Sequence, residues 1–403
     1  MLHEKKAVKF GMIHKFYNGR VILGNTFARE GTNVYTENDR IVAVTREDRD
    51  FDVGHDAKGK YISPGFIDMH VHGGNGYDLR KGELEDFLEV SKLHAKHGTC
   101  VMLPSGSSNS IATYVKMFEA LDEYNRINEE QAVGAHMPGL HLEGPYFSPI
   151  QAGAQQANYM TPPIPEDYMY ILENYGDKLI RWSSAPELPG SYEFAKALRE
   201  YGIVASIGHS DADYDCVMQA YDWGYGLVTH FYSGCSTVHR KNAYRYAGIV
   251  EAAYMIDGMD VEIIADGRHL PPALLKLIVK FKGVDRIALV TDAITCAGLP
   301  DGSEMLFENP NFIIEDGVAK LPDRSAFAGS VCTTNRLVRN MIELADVSLL
   351  DAVAMASANP ARMANLRDRG HIREGNFADI LIFDENIDIS LTMVNGKVVF
   401  AKQ

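Results

Sequence analysis

Gly65-Phe66-Ile67-Asp68-Met69-His70-Val71-His72 decides how this chain reads. Its apolar start suits a buried strand, and its polar finish suits a strand end that opens onto a surface. Residues two apart on an extended chain project to the same side, so His70 and His72 share one. Two imidazoles placed in this way can grip one cation.

Seven more short apolar runs follow at helix-length intervals. They are 99–103, 137–142, 179–182, 203–207, 226–229, 261–265 and 286–291. Amphipathic segments such as Glu83 to His97, Tyr192 to Tyr201 and Pro272 to Phe281 lie between most of them. Eight strand–helix units predict an α/β fold, a (β/α)8 TIM-like barrel over residues 63–371. The two ends of the chain have a different texture. Val21-Ile22-Leu23 and Arg40 to Val44 near the start, and Asp379 to Phe383 and Lys397 to Phe400 near the finish, read as short strands. A small β-sandwich domain built from residues 1–62 and 372–403 accounts for both. Asn309 to Ser330 reads as a hairpin with Asp316-Gly317 at its turn, followed by helices beginning near Thr334 and Ser348.

Composition narrows the function. The 403 residues are 46% hydrophobic and 23% charged, as in an ordinary globular protein, and the net charge is -15. Such an acidic chain is a poor partner for nucleic acid or an anionic membrane. No apolar run is long enough to span a bilayer. Five cysteines without a Cys-x-x-Cys pair point to reduced thiols in the cytoplasm. The polar start, Met1 to Lys6, lacks the apolar stretch of a signal peptide.

The ends of the runs carry the chemistry. After His70 and His72, the third run ends in Glu143, the fifth in His209, the sixth in His230 and the eighth in Asp292. Active sites of such barrels lie at the C-terminal ends of the strands. Four imidazoles and two carboxylates would therefore meet on one rim. Taken singly, each has an ordinary structural explanation, such as helix capping for Asp292. Together they form a ligand set for one or two divalent ions, with Zn first and Fe, Mn, Co or Ni also suited. Cys235 and Cys296, close to His230 and Asp292 in sequence, read as packed thiols.

The chain also resembles the N-acetylglucosamine-6-phosphate deacetylase family of the amidohydrolase superfamily. The resemblance rests on Pro64 to Gly73, His141-Leu142-Glu143-Gly144-Pro145, Gly208-His209-Ser210-Asp211-Ala212, Ile264-Ala265-Asp266-Gly267, Val290-Thr291-Asp292-Ala293, Ala328-Gly329-Ser330, Asn359-Pro360-Ala361-Arg362 and Gly375 to Leu381. It implies metal-dependent hydrolysis of the acetamide of an amino-sugar phosphate, in amino-sugar catabolism, by a homodimeric enzyme. It implies that Glu143, His209 and His230 hold the principal metal and that Asp292 is the catalytic acid/base. The presence of His70 and His72 leaves room for a second ion, with Glu143 bridging.

The resemblance further implies that backbone amides at Ser233 and Gly234, His269, and either Arg240 or Arg245 hold the phosphate. In relatives that arginine reaches in from a neighbouring subunit. Phe327-Ala328-Gly329 would form the acyl-binding loop. Two departures bear on the substrate. Gln155, after Ala154, stands where the family has a sugar-contacting His, and Ser233-Gly234-Cys235 stands where it usually has Asn-Ala-Met. A different sugar epimer, or another N-acyl or cyclic amide, is the alternative substrate.

Overall fold

A computed structural model describes residues 11–305, 312–324 and 327–402. Met1 to Lys6 and the first residues of the expected hairpin, 309–311, lie outside the described residues.

All eight apolar runs form strands. They are β1 (Phe66–Val71), β2 (Thr99–Gly106), β3 (Leu140–Glu143), β4 (Leu179–Ser184), β5 (Val204–Ile207), β6 (Leu227–Val228), β7 (Asp260–Ile263) and β8 (Ile287–Leu289). They lie side by side in chain order and all pairings are parallel. The ring closes just beyond β8. Val71 and Ala293 form a parallel bridge, and Asp292 donates its backbone N–H to the carbonyl of His70 at 2.9 Å. Asp68 reinforces this seam, accepting from the Thr291 hydroxyl at 2.6 Å and from its backbone N–H at 3.2 Å.

Strand alternation sorts the apolar side chains. Ile67 and Met69 on β1 share one cluster with Val101, Leu103 and Val290, while Phe66, on the opposite face, joins the larger cluster. The expected amphipathic segments are helices Leu84–Lys96, Ser191–Glu200 and Pro272–Lys282, and two more helices begin at Thr334 and Leu349.

Two sheets stand apart from the barrel. One orders Arg40–Thr45, Asn33–Glu37, Ile13–Tyr17 and Val53–Asp56. The other orders Arg20–Val21, Tyr61–Pro64, Ile380–Phe383, Ile389–Val394 and Lys397–Ala401, and so joins both ends of the chain. Phe16, Val34 and Ile41 from the first sheet and Ile62, Ile380 and Met393 from the second share one apolar core, as in a sandwich. The strand expected at Val21–Leu23 is shorter than the sequence suggested. Leu23 donates to the carbonyl of Thr26, and this turn ends the strand at Val21.

The expected hairpin pairs Phe312–Glu315 with Val318–Lys320, with Asp316 and Gly317 both at positive φ in the turn. It belongs to a four-stranded sheet whose last member, Phe327–Gly329, runs into a bridge between Ser330 and Ala293. That bridge carries the sheet to the end of β8.

Candidate active site

The mouth of the barrel brings six side chains from five strand ends together. Glu143 occupies the centre. Its Oε1 lies 3.1 Å from His209 Nε2 and 2.9 Å from His230 Nε2. Its Oε2 lies 3.3 Å from His72 Nε2 and 3.6 Å from His70 Nε2. Asp292 Oδ1 closes the second group, 3.3 Å from His72 and 3.5 Å from His70. One carboxylate thus presents an oxygen to each of two three-residue sets, Glu143–His209–His230 and His70–His72–Asp292.

Backbone hydrogen bonds settle what these imidazoles offer. The Nδ1–H of His209 donates to the carbonyl of Gln151 at 2.8 Å, that of His230 to Ser233 at 3.0 Å, and that of His72 to Ser105 at 2.9 Å. Each ring therefore turns a bare Nε2 lone pair toward the centre. His209 and His230 then hold two such lone pairs 3.2 Å apart, beside a carboxylate oxygen. Electron pairs that close repel unless a cation lies among them. The donor set fits a divalent ion of the zinc type in number, chemistry and orientation.

The protons respond to the same crowding. Burial works against charge on His70, yet Asp292 and Glu143 outweigh it and hold its pKa up at about 10. Burial would raise the carboxyl of Asp292, but His70 and His72 hold it well below the usual carboxylate range. Burial would raise Glu143 too, and the charge of His70 holds it down in the same way.

The backbone is bent to deliver these groups. His209, His230 and Asp292 all have positive φ, at 43°, 28° and 47°. Each such residue costs about 1–3 kcal/mol and persists where the surroundings over-determine it, typically at functional sites. Gly234 also has positive φ (57°), and a Cβ there would lie 3.0 Å from His209 Nδ1. A glycine therefore allows this loop to approach the ring.

A cavity of 280 Å³ opens above the cluster. His72, Glu143, His209, His230 and Asp292 line it, and so do Ala154, Gln155, Ser233, Gly234, His269, Phe327 and Gly329. His70 is fully buried beneath. Ala328 lies between Phe327 and Gly329 on their strand. His269 is held by Asp266, whose Oδ2 accepts from its Nδ1 at 2.7 Å, and its ring packs 5.1 Å from that of Phe327. Gln155 points inward to Glu143. Its Oε1 accepts from the backbone N–H of Ser108 at 2.7 Å, so its amide nitrogen faces Glu143 Oε2 and donates to it.

Arg240 and Arg245 do not reach this cavity within one chain. They sit directly opposite one another on an exposed hairpin, His239–Lys241 with Tyr244–Tyr246. Cys235 and Cys296 are packed thiols, and burial pushes Cys235 up to about 12.

Several groups escaped the sequence reading. Arg181 on β4 and Glu262 on β7 pair inside the barrel, and Arg181 also donates to Ser206 at 3.0 Å and Thr229 at 2.8 Å. His141 packs edge-on against His70, with its ring nitrogens 3.0 Å from Ser105 Oγ and 2.7 Å from Ser183 Oγ. A charge inside an otherwise apolar strand, as in Ile180-Arg181-Trp182 and Val261-Glu262-Ile263, was the available signal. Arg80, which lines the cavity, gave no such signal because it lies in a polar loop.

The model of the amidohydrolase family matches residues 61–399. The chain is 31% identical to the N-acetylglucosamine-6-phosphate deacetylase of Lysinibacillus sphaericus, over 85% of this chain and 86% of that one. The chain belongs to the amidohydrolase family, in the branch of the N-acetylglucosamine-6-phosphate deacetylases. This amidohydrolase is also 30% identical to the N-acetylgalactosamine-6-phosphate deacetylase of Escherichia coli O157:H7, over 84% of this chain and 87% of that one. Among solved structures it superposes, with a TM-score of 0.85 and 26% identity, on a mutant of the Mycobacterium smegmatis deacetylase in complex with N-acetyl-D-glucosamine-6-phosphate, covering 97% of this chain and 100% of that one. The Thermotoga maritima deacetylase gives 0.81 at 29% identity, with 96% and 100% covered.

Proposed function

We propose that this amidohydrolase hydrolyses the acetamide of N-acetylglucosamine 6-phosphate, or of a close N-acetyl amino-sugar phosphate, to the free amine and acetate. The observation that carries the reading is Glu143, with one oxygen on each ligand set, facing a cavity that Asp292 and His269 also line. The named activities of the relatives supply the substrate class.

Glu143, His209 and His230 would hold the principal ion, and His70, His72 and Asp292, with Glu143 bridging, a second. Zinc suits the set best. Such an ion supplies Lewis acidity, which polarises an amide carbonyl and makes a nearby water more acidic. Asp292 is ionised at neutral pH, so it can take a proton from the attacking water. It then returns that proton to the departing nitrogen, which leaves as a neutral amine. The Phe327–Gly329 strand would border the acyl group. Gly234 would offer its backbone N–H to the phosphate, Ser233 would line the site with its own N–H held by the His230 carbonyl at 2.8 Å, and His269, whose charged form Asp266 favours against burial, would pair with it. Arg240 or Arg245 would add a guanidinium from the second subunit of a homodimer. A cytoplasmic location suits the free cysteines, and no helix among the described residues is long and apolar enough to cross a membrane.

Purified enzyme given N-acetylglucosamine 6-phosphate, its galactosamine epimer and a panel of N-acyl and cyclic amides tests this reading. Acetate release from either sugar phosphate is expected. Turnover of another amide with neither sugar phosphate would favour the second reading, an amidohydrolase of different substrate. The amide at Gln155, which cannot carry charge, is the observation on that side.

A further inference from the structure

Arg80 stands in the catalytic cavity with a fixed orientation. The loop after β1 brings it to the wall of the cavity that His72, Ser107 and Gln155 also line. Asp78, two residues away, holds its fork: Nε donates to Oδ1 at 2.8 Å and Nη2 to Oδ2 at 2.7 Å. Asp78 Oδ1 also accepts the backbone N–H of Arg80 at 3.0 Å, so the pair forms one rigid turn. Nη1 finds only a long contact with Ser107 Oγ, at 3.4 Å, among the described residues. A guanidinium carries five N–H groups. One on Nη1 and one on Nη2 are therefore left, and a third of the side chain is open to the cavity.

Position gives these spare donors meaning. Arg80 and Ser107 follow β1 and β2, whereas Ser233 and His269 follow β6 and β7. In the closed ring β1 and β7 are separated only by β8, which leads into Asp292. Arg80 and His269 thus border the cavity on either side of the strand end that carries Asp292. Burial works against charge on the guanidinium, and Asp78 first, then Glu143 and Asp292, outweigh it. An arginine already steadied by a carboxylate, with two parallel N–H groups to spare, suits a substrate oxyanion.

We propose that Arg80 is a specificity-determining residue that holds an oxyanion of the substrate at the β1–β2 end of the cavity. Two sources share this chemistry: a carboxylate on the N-acyl group while the phosphate lies toward His269 as above, or the sugar phosphate itself bound here in place of that subsite. The inference rests on the amide-hydrolase reading above.

Steady-state kinetics of wild type, Arg80→Met and Arg80→Lys on N-acetylglucosamine 6-phosphate, N-acetylglucosamine and N-succinylglucosamine 6-phosphate test it. If the phosphate binds here, Arg80→Met raises KM on the phosphorylated acetyl substrate on the order of 10- to 100-fold, with little change in kcat, and spares N-acetylglucosamine. If an acyl carboxylate binds here, the same variant removes a preference for the succinyl over the acetyl substrate. Arg80→Lys restores part of either effect through charge without the fork. An equal loss on all three substrates, or no loss on any, overturns the proposal. Removing Arg80 strands the carboxylate of Asp78, so Asp78→Asn/Arg80→Met is assayed alongside, with thermal unfolding as the check on folding. Should wild type turn over none of the three, the proposed activity fails by itself. Calorimetry of zinc-loaded protein with inorganic phosphate and with succinate still reads Arg80. Weaker binding of one of them by Arg80→Met supports the proposal, and unchanged binding of both overturns it.

Discussion

Arg181 grips Glu262 across the inside of the barrel, with Nη1 on Oε1 and Nη2 on Oε2, the latter at 2.8 Å. Both side chains are fully buried. Glu262 Oε2 lies 3.8 Å from Nδ1 of His70, which has no hydrogen-bond partner among the described residues. The pair therefore forms a charged floor beneath the ligand cluster. Breaking such a pair leaves an uncompensated buried charge and costs about 3–5 kcal/mol. Arg181→Met should lower stability by that amount in urea denaturation. Arg181→Met/Glu262→Gln should recover much of it, because the stranded carboxylate is gone.

Asp292→Asn should cut turnover by at least about a hundredfold, the lower end of what general acid–base catalysis supplies. The ligand set Glu143, His209 and His230 is untouched by this change. Metal analysis should therefore find the principal ion retained and circular dichroism the fold intact. Near-normal rates in the asparagine variant would remove Asp292 from its proposed role.

Stripping the ion should soften the fold. Without a cation, His209 and His230 face each other with bare nitrogens 3.2 Å apart. An ion present at about a hundred times its Kd contributes roughly 2.7 kcal/mol to stability. Dialysis against a chelator should lower the unfolding midpoint, and added zinc should restore it. A midpoint indifferent to both would mean that the cluster holds no ion.

His94 makes stability depend on pH. It is fully buried, donating to the carbonyl of Gly73 at 3.2 Å, and burial lowers its pKa from 6.5 to about 4. The unfolded chain takes up this proton near pH 6.5, while the folded one refuses it until about 4. Stability from this group is complete above 6.5 and drains as pH falls toward 4, at up to about 1.4 kcal/mol per pH unit. His94→Gln should flatten the fall in unfolding free energy between pH 6.5 and 4.5, read by denaturant titration.

The barrel was legible because each strand is a short apolar run, and burial on both faces demands such runs. The six ligand-type residues were legible because each terminates one of those runs, where a barrel gathers side chains from distant parts of the chain. Other features depend on three-dimensional closeness and leave little trace in spacing. Nothing in Gly208-His209-Ser210 or Val290-Thr291-Asp292 announces a left-handed backbone. Gln155 reads as a plain substitution until the N–H of Ser108 fixes its amide and turns it onto Glu143. Arg240 and Arg245 could be singled out as the basic residues of a loop, but not placed, since a hairpin carries them away from their own cavity.

The seam between the first and last strands has a consequence for catalysis. Asp292 donates to the His70 carbonyl at the point where the ring is joined, so the proposed proton carrier and a proposed metal ligand are also the clasp of the barrel. A molecule that loosens there pulls its own chemistry apart before the rest of the fold notices. Amide exchange at Asp292 should therefore track inactivation, and a substrate that bridges the two residues would act as a rivet across the join.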